Sequence, residues 1–173
     1  MKQIKLINLE NVSEEGVGKY RSRESARGIV FDENNNVALI HATNYHYYKL
    51  PGGGIEAGET NDVTLNRECK EEIGCNVKAI QELGITVEYR KLYNLKQTSY
   101  CYIAKLVGKK GTPKLEPDEI NHGFETVWVP LEDALNKVRN SKLVVYEAQY
   151  MVARDTVLLE TAIELLKNSN SII

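Results

Sequence analysis

Two periodicities alternate along this chain, and they divide it into extended and helical pieces. Residues 1–24 read as a short N-terminal strand and a polar, glycine-containing connection. Ala26 to Phe31 and Val37 to Ala42 are apolar runs of strand length, and the Asp-Glu-Asn-Asn-Asn between them is a hairpin signal. Tyr45 to Leu50 reads as a further short extended piece. It ends at Pro51-Gly52-Gly53-Gly54, a backbone free to take φ values closed to other residues. Val77 to Val87 and Ser99 to Leu106 are rich in β-formers, and Val127-Trp128-Val129 reads as a short strand closed by Pro130. Between these lie helical spacings. One helix starts at Thr60 or Asn61, both good N-caps, and stops at Gly74. A second covers Leu131 to Val138. A third covers residues 145–168, with Val145, Ala148, Val152, Leu159, Ala162 and Leu166 on one stripe. Strands followed by helices, with one helix inserted mid-chain, predict an α/β (α+β) fold rather than strict βαβ alternation.

A chain of 173 residues is expected to form one domain, spanning 1–173, with a core that needs no staples. Its net charge of −2 gives no broad electrostatic grip on duplex nucleic acid or an anionic membrane. The three cysteines, Cys69, Cys75 and Cys101, are odd in number and form no C-x-x-C pair, which fits a reducing cytoplasm. The apolar run at Met1 to Ile7 is too short for a signal peptide, and no stretch reaches membrane-span length.

The chemistry concentrates in Gly53 to Cys75. On a helical wheel Leu65, Cys69 and Ile73 form an apolar edge, with Glu68, Glu71 and Glu72 on one arc beside it. The spacing puts the three carboxylates within reach of a common point. Like charges at i,i+3 and i,i+4 cost roughly 0.2–0.5 kcal/mol per pair. A divalent cation reverses that sign, and carboxylate oxygens are preferred ligands of Mg²⁺ and Mn²⁺. A solvated acidic face balanced by Arg67 and Lys70 has the same local sequence. The glycine loop feeding the helix N-terminus adds a place where backbone passes close to an anion.

Gly53, Glu59, Arg67, Glu68, Glu71, Glu72 and Gly74, with Cys69 and Cys75 at aliphatic positions, resemble the Nudix box at the family's spacing. At ordinary residue frequencies seven such matches have odds on the order of one in a million. The SARGIVFDENNNVALI segment and Trp128-Val129-Pro130-Leu131 also resemble the family. The resemblance implies an α/β/α sandwich around a mixed sheet, with the box as loop–helix–loop. It implies a hydrolase cleaving the diphosphate linkage of a nucleoside diphosphate joined to a moiety X. Glu68, Glu71 and Glu72 would bind Mg²⁺ or Mn²⁺ and assist the base, the Gly52 carbonyl would be a further metal ligand, and Arg67 and Glu59 would orient loop and helix. A later loop would supply another carboxylate, Glu119 among Glu116, Asp118, Glu119 and Glu125. The two cysteines read as packing residues.

On the substrate side, Arg27 alternates in phase with Ile29 and Phe31, unlike a surface charge, and is a candidate phosphate contact. Gly53 and Gly54 would pass close to the substrate. Seven of the ten tyrosines flank the box, Tyr48 among them, and their faces suit a nucleobase. The expected substrate is therefore a nucleoside triphosphate or modified nucleotide, cut to monophosphate and pyrophosphate. A dinucleoside polyphosphate or nucleotide sugar is the alternative, and a non-catalytic nucleotide sensor the alternative of another class. The chain is expected to act as a monomer or homodimer.

Overall fold

The structure, a computed structural model, describes residues 1–169. In chain order its elements are β1 (Gln3–Ile7), α1 (Glu14–Val17), β2 (Arg21–Phe31), β3 (Asn36–Ala42), β4 (Tyr47–Lys49) and β5 (Gly52–Gly54). There follow α2 (Asn61–Glu72), β6 (Asn76–Arg90), β7 (Leu95–Val107), α3 (Pro117–His122), β8 (Phe124–Pro130), α4 (Leu131–Arg139) and α5 (Tyr146–Ser169). The strands form one mixed sheet in the order β1-β6-β7-β2-β3-β4, with β5 added to β2 and β8 to β3. The β1–β6 and β2–β7 ladders are parallel and the rest antiparallel.

Strand alternation explains the layers. On β2, Ala26 and Val30 face one way and pack with Leu65 and Cys69 of α2 and with Ile73 at its C-cap. Ile29 and Phe31 face the other way, against Leu135 and Val138 of α4 and Leu158 and Leu159 of α5. The predicted apolar edge of α2 is buried, at 1%, 0% and 2% exposure for Leu65, Cys69 and Ile73. Burial on this scale contributes roughly 1.5–3 kcal/mol per large aliphatic side chain. The helices thus lie on both faces of the mixed sheet, as expected, and α2 is capped by Thr60, whose hydroxyl accepts from Val63 N–H.

Three local expectations need correction. β2 begins at Arg21, not Ala26, because β7 pairs with it in register from Arg21–Leu95 to Phe31–Lys105; the ladder holds a polar stretch that its own pattern does not mark. The hairpin after Phe31 splits at once. β2 and β3 are in register only at Phe31–Val37; beyond it β4 takes the place beside β3, whose other edge pairs with β8 throughout, and β5 takes the place beside β2. The loop expected after β7 contains a helix, α3, with Pro117 in its first turn and the Glu116 N–H donating to the Glu119 carboxylate at 2.8 Å.

Candidate active site

A cleft of about 450 Å³ lies where β5 takes the place of β3 beside β2. The glycine loop lines it, together with Arg23, Arg27, Lys49, Arg67, Glu68, Glu71, Glu72, Glu116, Glu119 and Met151. The loop has its shape for steric reasons. Gly52 sits at φ 125°, and a Cβ there would lie 2.2 Å from the Ala26 carbonyl oxygen. A Cβ on Gly53 would lie 2.3 Å from the Glu68 carboxylate. Only glycine lets the strand-paired loop run directly under the acidic helix face.

The three carboxylates of α2 have different surroundings. Glu72 is 3% exposed; its Oε2 accepts from Gly52 N–H at 2.7 Å and its Oε1 from Lys49 Nζ at 2.5 Å. Glu68 accepts from Arg67 Nη1 at 2.8 Å, and burial, then the neighbouring Glu72 charge, raises its affinity for a proton. Glu71 is the most open and accepts from Arg67 Nη1 at 3.2 Å. All three line the one cleft, each already engaged by a basic side chain. Among the described residues no group of three acidic, histidine or cysteine side chains is drawn around a cation position. Arg67 Nη1 bridges Glu68 and Glu71, while Lys49 and the Gly52 amide hold Glu72.

Arg67 binds loop to helix. Its guanidinium donates to both oxygens of Glu59 (2.8 and 3.0 Å) and to the Gly54 carbonyl (3.0 Å), as well as to Glu68 and Glu71. Arg67 first, then Thr64, holds the Glu59 carboxyl down at about 2. Arg23, Arg27 and Lys49 line the same cleft, Lys49 in direct contact with Glu72. Arg27 is 6% exposed, its Nε has no hydrogen-bond partner among the described residues, and burial, then the Arg154 charge, lowers its pKa to about 10.

Of the later acids, Glu119 and Glu116 reach the cleft, and burial raises the proton affinity of Glu119. Asp118 lines a shallow neighbouring depression of about 110 Å³, with Tyr47, His122 and Phe124. Glu125 is exposed on β8, in register with His41. Tyr48 is not brought to the cleft. Strand alternation sends Tyr47 and Lys49 to one face of β4 and Tyr48 to the other, where it stacks on His41 at 4.2 Å and lies under Lys137. None of the cleft-lining residues is a tyrosine. Tyr47 is buried on His122, and Tyr100 and Tyr102 bond Glu24 and Asn61.

Sequence reasoning missed the partners of these groups. Lys49 alternates with Tyr47 on the strand entering the loop, but its pairing with Glu72 needs the fold. Below the cleft lies a second set of charges, Glu88 and Arg90 on β6 and Arg154 and Asp155 on α5, all buried. Asp155 Oδ2 accepts the Leu50 N–H at 2.8 Å, two residues before Gly52.

Comparison with known proteins places these features. An 8-oxo-(d)GTP phosphatase of Mycolicibacterium smegmatis is 32% identical over 103 residues, 60% of this chain but only 30% of that protein. An RNA pyrophosphohydrolase of a Sulfurovum species is 28% identical over 67% of this chain and 80% of its own length. Among solved structures the Escherichia coli ORF135 protein superposes with a TM-score of 0.62 at 16% identity, covering 90% of this chain and 98% of that one. A UDP-X diphosphatase gives 0.58, also at 16% identity, over 90% of this chain and 68% of that one. At such identities the structural likeness shows the fold alone. Residues 21–149 match the NUDIX domain model, well over half of the sequence, and the chain belongs to that family.

Proposed function

We propose that this protein hydrolyses the diphosphate linkage of a nucleoside triphosphate or closely related nucleotide, releasing monophosphate and pyrophosphate, with Mg²⁺ or Mn²⁺. The observation that carries this reading is the mixed lining of one cleft: the three carboxylates of α2 together with Arg23, Arg27 and Lys49, of which Lys49 is paired with Glu72 and Arg27 is not paired among the described residues. Carboxylates repel a polyphosphate unless a cation intervenes, and basic side chains attract one. The relatives named for 8-oxo-(d)GTP and for RNA pyrophosphate removal support the same bond class.

The donors suit a hard divalent cation. Glu68, Glu71, Glu72 and the Gly52 carbonyl offer oxygen ligands only. When bound, the cation supplies Lewis acidity toward the phosphoryl oxygens and lowers the pKa of water. The chain's own residues do the rest. Arg27 and Arg23 hold phosphoryl oxygens. Arg67 fixes the loop against α2. Glu119, whose Oε2 is taken by the Glu116 amide, keeps Oε1 to accept a proton from the attacking water. The depression floored by Tyr47, Phe124 and Met151 adjoins the cleft through Glu119 and suits the nucleoside end, a role first expected of Tyr48. Because β1 and most of α5 lie outside the matched region yet join the same sheet and core, the chain acts as one domain in this reading, the last four residues of the expected 1–173 lying outside the described ones. Three free, buried cysteines support a reducing, cytoplasmic setting.

The test is a screen of triphosphates, modified triphosphates, dinucleoside polyphosphates, ADP-ribose and sugar nucleotides, each with Mg²⁺, Mn²⁺ and chelator, with products identified. Triphosphates should lead and chelator should abolish turnover. Full turnover in chelator, or a tenfold preference in kcat/KM for a sugar nucleotide, overturns the reading.

A further inference from the structure

The charges beneath the cleft do not balance, and the imbalance has a direction. Three buried guanidiniums, Arg27, Arg90 and Arg154, share two buried carboxylates, Glu88 and Asp155. Every carboxylate oxygen is taken. Arg90 donates to Glu88 Oε2 through Nε at 2.7 Å and Nη2 at 2.5 Å, and Arg154 Nη1 meets Glu88 Oε1 at 3.4 Å. Arg154 Nε donates to Asp155 Oδ1 at 2.7 Å; Oδ2 accepts from Arg154 Nη2 at 3.1 Å and from Leu50 N–H at 2.8 Å. Arg27 is left over. Its guanidinium forms no ion pair or hydrogen bond among the described residues, and it lines the cleft.

A buried arginine without a carboxylate is costly, and in isolation it would turn onto the nearest free acid. Glu72, then Asp155 and Glu88, exert a Coulombic pull on Arg27. Glu72 is already held by Lys49 and the Gly52 amide, which leaves the two acids beneath. They do not capture it because Arg154 occupies Asp155 in a bidentate fork and reaches Glu88 as well. The same Asp155 fixes the backbone at Leu50, one proline away from Gly52, whose amide bonds Glu72.

We propose that Arg154 and Asp155 of α5 are positioning residues for phosphate binding. Arg154 sequesters the buried carboxylates so that Arg27 stays unpaired and available to a diphosphate, while Asp155 anchors the entry to the glycine loop. The proposal rests on the reading above that Arg27 meets the substrate's phosphates. It assigns no contact with substrate to α5. Arg154 acts through charge occupancy, and this separates it from a residue that merely stabilises the fold.

The distinction is testable with inorganic pyrophosphate, titrated calorimetrically into the protein at saturating Mg²⁺. Arg27→Met should weaken binding tenfold or more. Arg154→Met frees Asp155 to capture Arg27 and should weaken binding by a similar factor. The double variant Arg154→Met, Asp155→Asn removes the freed charge but keeps an acceptor for Leu50 N–H, so binding should recover to within about threefold of wild type. A residue of merely structural importance would give a double variant no better than the single one. If Arg154→Met does not fold, Arg154→Lys, which satisfies fewer of the carboxylate oxygens, takes its place and should weaken binding, with recovery when Asp155→Asn is added. Normal binding by the Arg154 variant, or no recovery in the double, overturns the proposal. No pyrophosphate binding by wild type, or full binding by Arg27→Met, overturns instead the phosphate reading beneath it.

Discussion

The two long helices that flank the sheet handle charge in opposite ways. α2 buries an apolar edge and turns Glu68, Glu71 and Arg67 toward a cleft open to water, where charges are screened and a ligand can reach them. α5 buries Arg154 and Asp155 completely, with every oxygen and most donors matched inside the protein. The first arrangement leaves its electrostatic free energy to be used on a ligand. The second uses it internally, and is structural in a way that an exposed pair cannot be. Glu72 stands at the boundary: it belongs to the α2 cluster by sequence but is buried against Lys49 like a member of the α5 set.

Breaking that boundary residue gives the largest combined effect. Glu72→Gln leaves the Lys49 ammonium buried without a carboxylate, so stability should drop by about 3–5 kcal/mol, while kcat falls on the order of 10²–10³-fold. From repulsion alone, removing a carboxylate from this helix is expected to relieve strain and spare the fold. The observed Lys49 pairing reverses that sign for Glu72 and leaves it intact for Glu71, which is 40% exposed. Glu71→Gln should lose activity with stability changed by no more than about 0.5 kcal/mol. Denaturant melts beside steady-state kinetics decide this; equal destabilisation by the two would erase the proposed difference.

Asp155→Ala comes next and acts from the buried side. It strands Arg154 and the Leu50 amide, at a cost of about 3–5 kcal/mol and a fall in Tm of roughly 10 °C for a chain of this size. Calorimetry checks it, and a Tm within about 2 °C of wild type would mean that water replaces the carboxylate. Arg67→Ala tests the open side. The guanidinium ties Glu59 and the Gly54 carbonyl to α2, so activity should fall through disordering of the loop, with a modest stability loss of about 1–2 kcal/mol. Lost activity with unchanged stability and loop order would instead make Arg67 a direct participant.

The smallest effect is one of pH. The Glu59 carboxyl is held at about 2, below its ordinary 4.5. Its contribution is therefore fully present above about 4.5 and disappears as pH falls through 2. Because the Arg67–Glu59 pair lies at the rim and is partly exposed, the contribution is small. The stability gap between wild type and Glu59→Gln should narrow between pH 5 and pH 2 in denaturant titrations; a gap that is constant over that range would contradict the pairing with Arg67.

These contrasts also explain what was legible in the sequence. The α2 chemistry could be read because its residues are close in sequence: spacing on one helix fixes that Glu68, Glu71 and Glu72 share an arc. What they bond to could not, since Lys49 and Gly52 reach Glu72 through sheet topology. The α5 pair did leave a trace. Asp155 lies three residues after Val152 and four before Leu159, in the middle of the apolar stripe, where a charge has no reason to be unless it is matched. The tyrosines misled for the converse reason: strand alternation and local hydroxyl partners, not a ligand, account for Tyr48, Tyr100 and Tyr102. The start of β2 was hidden because its polar first half is held by the β7 ladder and not by a pattern of its own.

The split hairpin has a consequence for solubility. Where β3 leaves β2, the backbone of Ser25 to Gly28 would be an open strand edge, and open edges invite pairing with another chain. β5 closes it, Gly52 to Gly54 pairing with Ser25 to Arg27 and the Pro51 carbonyl accepting from Gly28 N–H. The glycine loop is therefore also an edge guard. A side chain forced into Gly52 must push the loop off Ala26, and the exposed ladder, flanked by the apolar Ile29-Val30-Phe31, becomes a template for self-association. Substitutions there should increase aggregation during expression and refolding whether or not any substrate is present.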